Sequence, residues 1–268
     1  MTVYPLLIEI GGFTITGYGI MMMVAFLLAG WLYSLELRRT GQDAGLAWDA
    51  VVAAVIGGII GAKIYYAVLV GEMDALFSRG GLVWYGGFIG GVIGVCLLLW
   101  WKKQSIAIQS DLVAPALAAG YAAGRIGCFL VGDDYGVPSD VPWAVKFPQG
   151  SPPTTARVLQ NEFGVELPAG TPPDTVLAVH PTQIYEVLIA GAIFVLLWRA
   201  RRHVHRPGWL FGVFLALMAM ERIFVEIFRA KDDRFFGPFT LAQTISFVTI
   251  AVGAWLFATR RQMPATSQ

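Results

Sequence analysis

Charged residues are scarce in this sequence. They make up 14% of its 268 residues, whereas hydrophobic residues make up 56%. Soluble globular proteins carry about 25% charged residues, so this composition excludes an ordinary soluble domain. The few charges gather between long apolar stretches, which is the pattern of a protein with several membrane spans.

Cysteine and histidine are also scarce. Cys96 and Cys128 lie far apart in apolar stretches, so a disulfide framework is not indicated. The sequence has no HExxH motif, no CxxC motif and no Ser-His-Asp spacing, so we expect no metal site and no cofactor. No basic block accompanies the net charge of +1, so nucleic-acid binding is not indicated. The first 17 residues lack a basic n-region, and we expect a retained first span rather than a cleaved signal.

Long apolar segments dominate the rest of the chain. A bilayer requires about 20 apolar residues for one helical span. Seven segments approach this length, although the fourth and sixth contain charge: 17–37, 47–70, 82–101, 111–131, 182–199, 208–229 and 240–259. The sequence therefore predicts an all-α integral membrane protein with seven transmembrane helices, in a single membrane domain over residues 1–268.

Lysine and arginine predict the orientation, because cytoplasmic loops are enriched in both. Ten of them follow spans one, three, five and seven: Arg38, Arg39, Lys102, Lys103, Arg199, Arg201, Arg202, Arg206, Arg260 and Arg261. Six lie on the opposite side, in longer loops: Arg79, Lys146, Arg157, Arg229, Lys231 and Arg234. We therefore expect an outward N-terminus and a cytoplasmic C-terminus.

The segment between spans four and five is unusual. Residues 132–181 form an outward loop of about 50 residues that holds nine of the fourteen prolines, which is too long for an ordinary connection. Residues 143–147 are a candidate short strand. Two interpretations remain open, a flexible linker or an extracytoplasmic arm over an outward-facing site.

Charges inside the apolar segments point to a site. Arg125 lies in span four, and a charge near the bilayer centre costs about 3 kcal/mol on insertion scales. Arg222, Glu226 and Arg229 fall at i, i+4 and i+7 of span six, on one helical face. Two interpretations remain open. The Arg222–Glu226 ion pair only fixes the packing between helices, or Glu226 holds Arg222 in place while the remaining N–H donors of that arginine bind a phosphate. The orientation predicts that Arg125 and Arg222 reach one pocket near the outer leaflet.

Two further patterns allow more than one interpretation. Glycines recur in spans two and three, at positions 57, 61, 86, 87, 90, 91 and 94, and they predict close helix packing. Those after Trp84-Tyr85 are also candidates to line a pocket. The run from His180 to Glu186 opens span five, with Pro181 in the first turn and His180 or Thr182 as a cap. Glu186 lies about one turn inside the apolar run.

Six motifs in this order resemble those of the bacterial prolipoprotein diacylglyceryl transferases, over nearly the whole chain. They are Thr16-Gly17-Tyr18-Gly19, Gly61-Ala62-Lys63-Ile64, Trp84-Tyr85-Gly86-Gly87, the run Gly124–Gly136, the run His180–Glu186, and the run Arg222–Arg229. The resemblance implies an enzyme of the bacterial cytoplasmic (inner) membrane. It would transfer a diacylglyceryl group from phosphatidylglycerol to the lipobox cysteine thiol of a prolipoprotein, giving a thioether and glycerol 1-phosphate.

The resemblance also implies site residues. Arg125 and Arg222 would stabilise charge on the leaving phosphate, Glu226 would orient Arg222, Tyr18 would supply a hydroxyl, and Gly136 would shape the turn after Asp133. The full set has catalytic candidates Arg125, Arg222, Glu226 and Tyr85, and substrate-binding candidates Tyr18, Gly86, Gly87, Cys128, Asp133, Gly136, His180 and Arg229.

Three residues depart from the family pattern. Tyr85 replaces the histidine found in many members, Cys128 the usual asparagine, and Asp133 the usual glutamate, with Asp134 beside it as a candidate to compensate. A phenol has a pKa near 10 and is a poor base at neutral pH. We therefore hypothesise that the field of Arg125 and Arg222 assists formation of the thiolate without a dedicated base.

Three other functions remain as alternatives. A paralogous transferase would use the same scaffold with another acceptor or lipid donor. A transporter or lipid-binding membrane protein is less consistent with the sequence, because transporters often show repeated halves and no internal repeat is evident. A structural subunit would require an architectural role for Arg125, Arg222 and Glu226.

Overall fold

A computed structural model of the chain describes residues 1–72, 74, 76, 83–230, 234–236 and 239–260. Three residues that the orientation count includes, Arg79, Lys231 and Arg261, lie outside the described residues, as does Leu82 at the start of the predicted third span.

The described chain is mainly helical, and one long helix coincides with most of each predicted span. The bounds are α1 Gly17–Arg39, α2 Gly45–Val70, α3 Trp84–Trp101, α4 Ile106–Val131, the short α5 Ala156–Asn161, α6 Thr182–Ala200, α7 Trp209–Glu226 and α8 Leu241–Arg260. Among the described residues six helices, α1–α4, α6 and α8, are long and apolar enough to cross a membrane. The remaining long helix, α7, carries Glu221, Arg222 and Glu226 within its 18 residues.

Two small sheets were not predicted. Strands β1 (Leu7–Ile10) and β2 (Phe13–Thr16) form an antiparallel hairpin, and β3 (Arg234–Phe236) pairs with β4 (Phe239–Thr240). Gly11 and Gly12 connect the first hairpin with φ of +54° and +82°. A two-residue loop with two positive φ angles matches the twist of its flanking strands. Two short β-forming runs around Gly-Gly are the sequence signal for this hairpin.

Residues Ala29–Val113 form one of two compact units. Within it, α2 and α3 pack through glycines. A Cβ on Gly57 would collide with the carbonyl oxygen of Gly90, and a Cβ on Gly61 with that of Gly86. Backbones approach this closely only where side chains are absent. The predicted close packing of these two helices is confirmed.

The other unit comprises Met1–Leu28 and the chain from Ala114 onward. In it, α4, α6 and α7 share a buried apolar cluster. Its buried members are Ala114, Ala118, Ile193, Leu197 and Leu210. The shared cluster holds these three helices together, and they carry most of the charged residues described below.

The segment 132–181 packs around a hydrophobic cluster in the same unit. Its buried members are Tyr135, Val145, Phe147, Leu159, Val179 and Ala230. The predicted strand over 143–147 is wrong, since only isolated bridges form there. Val145 pairs with Val179, and Lys146 pairs with Thr2.

Candidate active site

Arg125 lies near the C-terminal end of α4. Its guanidinium carbon is 5.0 Å from the centre of the Tyr121 ring, one turn earlier in the helix. Its side chain is 17% exposed. A cation above an aromatic face is stabilised by the ring quadrupole, so Tyr121 helps to keep this charge at a largely buried position.

Helix α4 ends in a turn that presents two carboxylates. Gly132 has φ of +68°, and the Asp133 N–H donates to the Cys128 carbonyl at 3.0 Å. This is the glycine-dependent end that many helices adopt. Asp134 has φ of +59°, a left-handed conformation that aspartate and asparagine tolerate better than most residues. Its N–H donates to Oδ1 of Asp133 at 2.7 Å.

The carboxylate of Asp134 joins two arginines. Oδ2 lies 2.8 Å from Nη1 of Arg125, and Oδ1 lies 2.5 Å from Nη2 of Arg229. Burial alone would raise the pKa of Asp134, but the charges of Arg229 and Arg125 hold it below its ordinary value. Burial raises the pKa of Asp133, and the neighbouring charge of Asp134 raises it further. Asp134, rather than Asp133, is therefore the carboxylate that binds the arginines.

Glu186 of α6 is fully buried and joins two arginines in the same way. Its Oε2 lies 3.1 Å from Nε of Arg125, and its Oε1 lies 3.4 Å from Nη1 of Arg222. The Tyr121 hydroxyl donates to Oε1 at 3.0 Å. A buried carboxylate requires partners of this kind, because desolvation of its charge is otherwise costly.

The third carboxylate is Glu226, in the last position of α7. Its Oε2 lies 2.6 Å from Nη2 of Arg222 and 3.6 Å from Nε of Arg229. The predicted pair of Arg222 and Glu226 is confirmed. The predicted helical face does not extend to Arg229, because α7 ends at Glu226.

These contacts form a closed ring of alternating charge. Its order is Arg125, Glu186, Arg222, Glu226, Arg229, Asp134 and back to Arg125. Each arginine contacts two carboxylates, and each carboxylate contacts two arginines. We call these six residues the ion-pair ring.

Gly136, which was expected to shape the turn after Asp133, lies beyond the turn that ends α4, whose positive φ angles are at Gly132 and Asp134. It forms an isolated bridge with Arg229, and its N–H donates to the His180 carbonyl at 2.8 Å. A Cβ here would collide with the Phe228 carbonyl oxygen and lie 2.8 Å from Cβ of His180. Only glycine at position 136 lets its backbone pack this closely against that of Phe228 and Arg229. This contact holds Asp134 beside Arg229.

A cleft of about 460 Å³ lies next to the turn after α4. Its lining residues are Pro5, Leu7, Thr16, Tyr18, Val131, Asp133, Gln149, Gly150 and Ser151. Tyr18 stands at the start of α1 and is 37% exposed. Hydroxyl, amide and carboxylate groups thus meet apolar walls in one concave surface, as in small-molecule sites.

His180 and Thr182 do not cap α6 as predicted. Nδ1 of His180 lies 3.0 Å from the Tyr185 hydroxyl, and the Thr182 hydroxyl donates to the Asp134 carbonyl at 2.7 Å. The Trp143 indole N–H donates to the same Tyr185 oxygen at 2.7 Å. Burial lowers the pKa of His180.

Two buried residues flank the ring without belonging to it. Cys128 packs with its Sγ 3.8 Å from Nη1 of Arg125. Glu221 is 3% exposed, and its Oε1 has no hydrogen-bond partner in the described part of the chain. Within the same described residues, no group of three or more histidine, cysteine, aspartate or glutamate side chains could hold a metal ion.

Three predicted site residues belong to the other compact unit. Tyr85 is 41% exposed, and its ring meets that of Trp84 edge to face at 5.3 Å between centres. Gly86 is buried against Gly61 and Tyr65. A Cβ on Gly87 would meet Gly58 and Ala62 at ordinary distances.

Sequence reasoning did not assign to the site two members of the ion-pair ring, Glu186 and Asp134, or Tyr121, which contacts the ring. A carboxylate one turn inside an apolar helix was a signal for Glu186. The adjacent position of Asp133 and Asp134 left open which of them reaches the arginines. Nothing in the local pattern marked Tyr121.

Comparison with known proteins identifies the family of this chain. The family model described as prolipoprotein diacylglyceryl transferase matches residues 5–259. The chain belongs to this family. A relative from Azospirillum brasilense is 33% identical over 282 residues, covering 97% of this chain and 96% of the relative. A relative from Clostridium tetani is 30% identical, covering 94% of this chain and 96% of the relative. Both are named phosphatidylglycerol–prolipoprotein diacylglyceryl transferase, and this family works at the bacterial membrane.

Proposed function

We propose that this protein transfers a diacylglyceryl group from phosphatidylglycerol to the lipobox cysteine of a prolipoprotein. The relatives' names supply the reaction, and the observation that carries it to this chain is the ion-pair ring. The thiol sulfur bonds to the glyceryl carbon, the bond from that carbon to the phosphate oxygen breaks, and its electron pair stays on that oxygen. The products are a thioether and glycerol 1-phosphate.

Arg125 and Arg222 are the arginines best placed to receive the developing charge. Their side chains are 17% and 23% exposed, compared with 9% for Arg229. Fixed cations stabilise a transition state more than mobile ones, because they need no reorganisation when the charge develops. Glu186 and Glu226 provide that fixation, and Arg229 serves mainly to hold Asp134.

The remaining candidates have supporting roles. Tyr18 and Asp133 line the cleft and offer hydrogen bonds to a polar headgroup. Gly136 brings the backbone of the turn segment against that of Arg229, and His180 supports Tyr185. Cys128 packs beside Arg125. Gly86 lets α3 approach α2, whereas a Cβ at Gly87 would make only ordinary contacts.

Formation of the thiolate is the step for which the family's usual histidine is replaced by Tyr85. An unperturbed thiol has a pKa of about 8.5, and nearby cations lower it. We propose that the field of Arg125 and Arg222 supplies this effect and that no side chain acts as a dedicated base.

The same proposal covers the membrane arrangement. Helix α7 spans the bilayer as a seventh helix, because the ring pairs its Arg222 and Glu226 with opposite charges. The chain forms one membrane domain, with an outward N-terminus and a cytoplasmic C-terminus in the inner membrane. The segment 132–181 is an extracytoplasmic arm beside the site.

The test uses the purified protein in detergent with phosphatidylglycerol and a lipobox peptide. Peptide mass and released glycerol phosphate are followed for wild type, Arg125→Ala and Arg157→Ala. Arg157 is a matched control, because it pairs with Asp174 at an exposed position of the same unit. We expect a diacylglyceryl mass gain that Arg125→Ala abolishes and Arg157→Ala retains. A folded wild-type protein that binds lipid without transfer would indicate a paralogue with another acceptor.

A further inference from the structure

Asp134 is the one ring member whose backbone adopts a left-handed conformation. Arg125, Glu186, Arg222 and Glu226 stand on helices, whereas Asp134 lies in the turn after α4 with φ of +59°. Each of its carboxylate oxygens is within 2.8 Å of a different arginine. The backbone conformation and both contacts place this carboxylate between Arg125 and Arg229.

The charge of Asp134 also makes the ring neutral. Three arginines face three carboxylates, so loss of this single negative charge leaves the ring with a charge of +1. It would also free Nη1 of Arg125 and Nη2 of Arg229. Nη1 of Arg229 is already a buried donor without a hydrogen-bond partner in the described part of the chain. Without Asp134, the site would offer several unpaired donors to any anion.

The proposed reaction changes the charge of the phosphate. The lipid donor is a phosphodiester with one negative charge. The released glycerol phosphate is a monoester, which carries nearly two negative charges at pH 7 because its second pKa is about 6. The proton lost by the thiol balances this change when it passes to water. A site with excess positive charge therefore gains more affinity for the product than for the substrate.

We propose that Asp134 is a positioning residue that keeps the ring neutral and thereby allows glycerol phosphate to leave. It acts through Arg125 and Arg229 and does not contact the reacting atoms. This inference rests on the proposed function for the identity of the product. It assigns Asp134 a role distinct from that of Asp133, which lines the cleft and has no ion pair with an arginine among the described residues.

The test is the affinity for the product. Asp134→Asn removes the charge with little change in shape, and asparagine tolerates the left-handed conformation. Asp140→Asn is the matched control, because Asp140 is exposed in the same segment and outside the ring. Binding of glycerol 1-phosphate to the purified full chain is measured by calorimetry, with glycerol as an uncharged control ligand.

We expect Asp134→Asn to bind glycerol 1-phosphate on the order of tenfold more tightly than wild type, with glycerol unaffected and Asp140→Asn unchanged. In transfer assays the variant should form one equivalent of lipidated peptide rapidly and then turn over slowly, because bound glycerol phosphate leaves slowly. If Asp134→Asn does not fold, Asp134→Gly removes the charge at a position where glycine adopts the same φ freely.

Equal or weaker binding of glycerol 1-phosphate by a folded charge-removing variant would overturn the role of Asp134. Because product binding is measured without turnover, it tests the role of Asp134 independently of the proposed transferase activity. A wild-type protein that binds the product but transfers no lipid refutes the proposed function. An unchanged dissociation constant in an active protein refutes this inference alone.

Discussion

Arg125 of α4 and Arg222 of α7 share the carboxylate of Glu186, one arginine through each oxygen. Glu186 belongs to α6 and is fully buried, so the two cations are held from a third helix. Movement of either guanidinium away from Glu186 would leave part of a buried charge unpaired. The two arginines are therefore fixed as a pair, which is the condition for electrostatic stabilisation of a leaving phosphate.

Glu186→Gln should damage both stability and activity. The substitution removes a buried charge and leaves Arg125 and Arg222 with one carboxylate each. Breaking a buried ion pair costs about 3–5 kcal/mol, so thermal unfolding should occur at a clearly lower temperature. We expect transfer activity to fall by at least about tenfold in protein that remains folded. Glu166→Gln, at an exposed position of the same unit, is the control; equal melting temperatures and rates for both variants would contradict the role of Glu186.

Arg222→Lys tests geometry at constant charge. Nη1 of Arg222 reaches Glu186, and Nη2 reaches Glu226 at 2.6 Å. A lysine ammonium is a compact charge that cannot reproduce this planar fork. We expect kcat to fall on the order of 100-fold, the range for loss of one preorganised donor. A smaller change in KM for phosphatidylglycerol would show that the arginine acts mainly in the transition state, whereas full activity would mean that charge alone suffices.

The sequence predicted the helices well because long apolar runs have few alternatives in a membrane. All seven predicted spans coincide with helices, within a few residues at each end. The hairpin of β1 and β2 was not predicted, because its two four-residue strands are far shorter than a membrane span. Arg222 and Glu226 were predicted to pair because they stand one turn apart in the same helix.

The closure of the ring could not be predicted in this way. Asp134 meets Arg229 because Gly136 forms a β-bridge with Arg229 and packs closely against the Phe228 carbonyl oxygen. That contact joins distant parts of the chain, and no local spacing encodes it. The choice between Asp133 and Asp134 depends on a left-handed φ at one residue, which sequence alone does not reveal.

Gly136→Ala should displace members of the ion-pair ring, although Gly136 is not itself part of the ring. The new Cβ would collide with the Phe228 carbonyl oxygen and crowd His180. Overpacking of this kind costs about 1–3 kcal/mol, and relief of the collision would move Asp134 away from Arg229. We expect a lower melting temperature and reduced transfer.

Gly191→Ala is the control for that substitution. Gly191 lies within α6, and a Cβ there meets nothing within 4 Å. Alanine in a helix interior is favoured over glycine by about 0.5–1 kcal/mol, so this variant should be as stable as wild type or more stable. Equal effects of the two alanines would mean that the close approach at Gly136 has no energetic importance.

His180 predicts how stability depends on pH. Burial lowers its pKa in the folded protein. As pH falls through about 6.5, this side chain is therefore protonated in the unfolded chain before it is protonated in the folded protein. The contribution of His180 to stability is therefore present above that pH and is lost below it, because ΔG of unfolding rises with pH wherever the unfolded state binds more protons. Thermal unfolding from pH 8 to pH 5 should show this decrease, and His180→Gln should reduce it.

Tyr85→Phe decides whether a phenol takes part in forming the thiolate. The substitution removes the hydroxyl and keeps the ring, whose edge-to-face contact with Trp84 is apolar. If the field of Arg125 and Arg222 is sufficient, transfer at pH 7 should stay within about tenfold of wild type, less than the loss of about 100-fold or more expected on removing a general base. The pH–rate profiles of the two proteins should then coincide, because the titrating group is the peptide thiol in both. A loss of several orders of magnitude in folded protein would instead make Tyr85 a participant in proton transfer, and the mechanism would require a base after all.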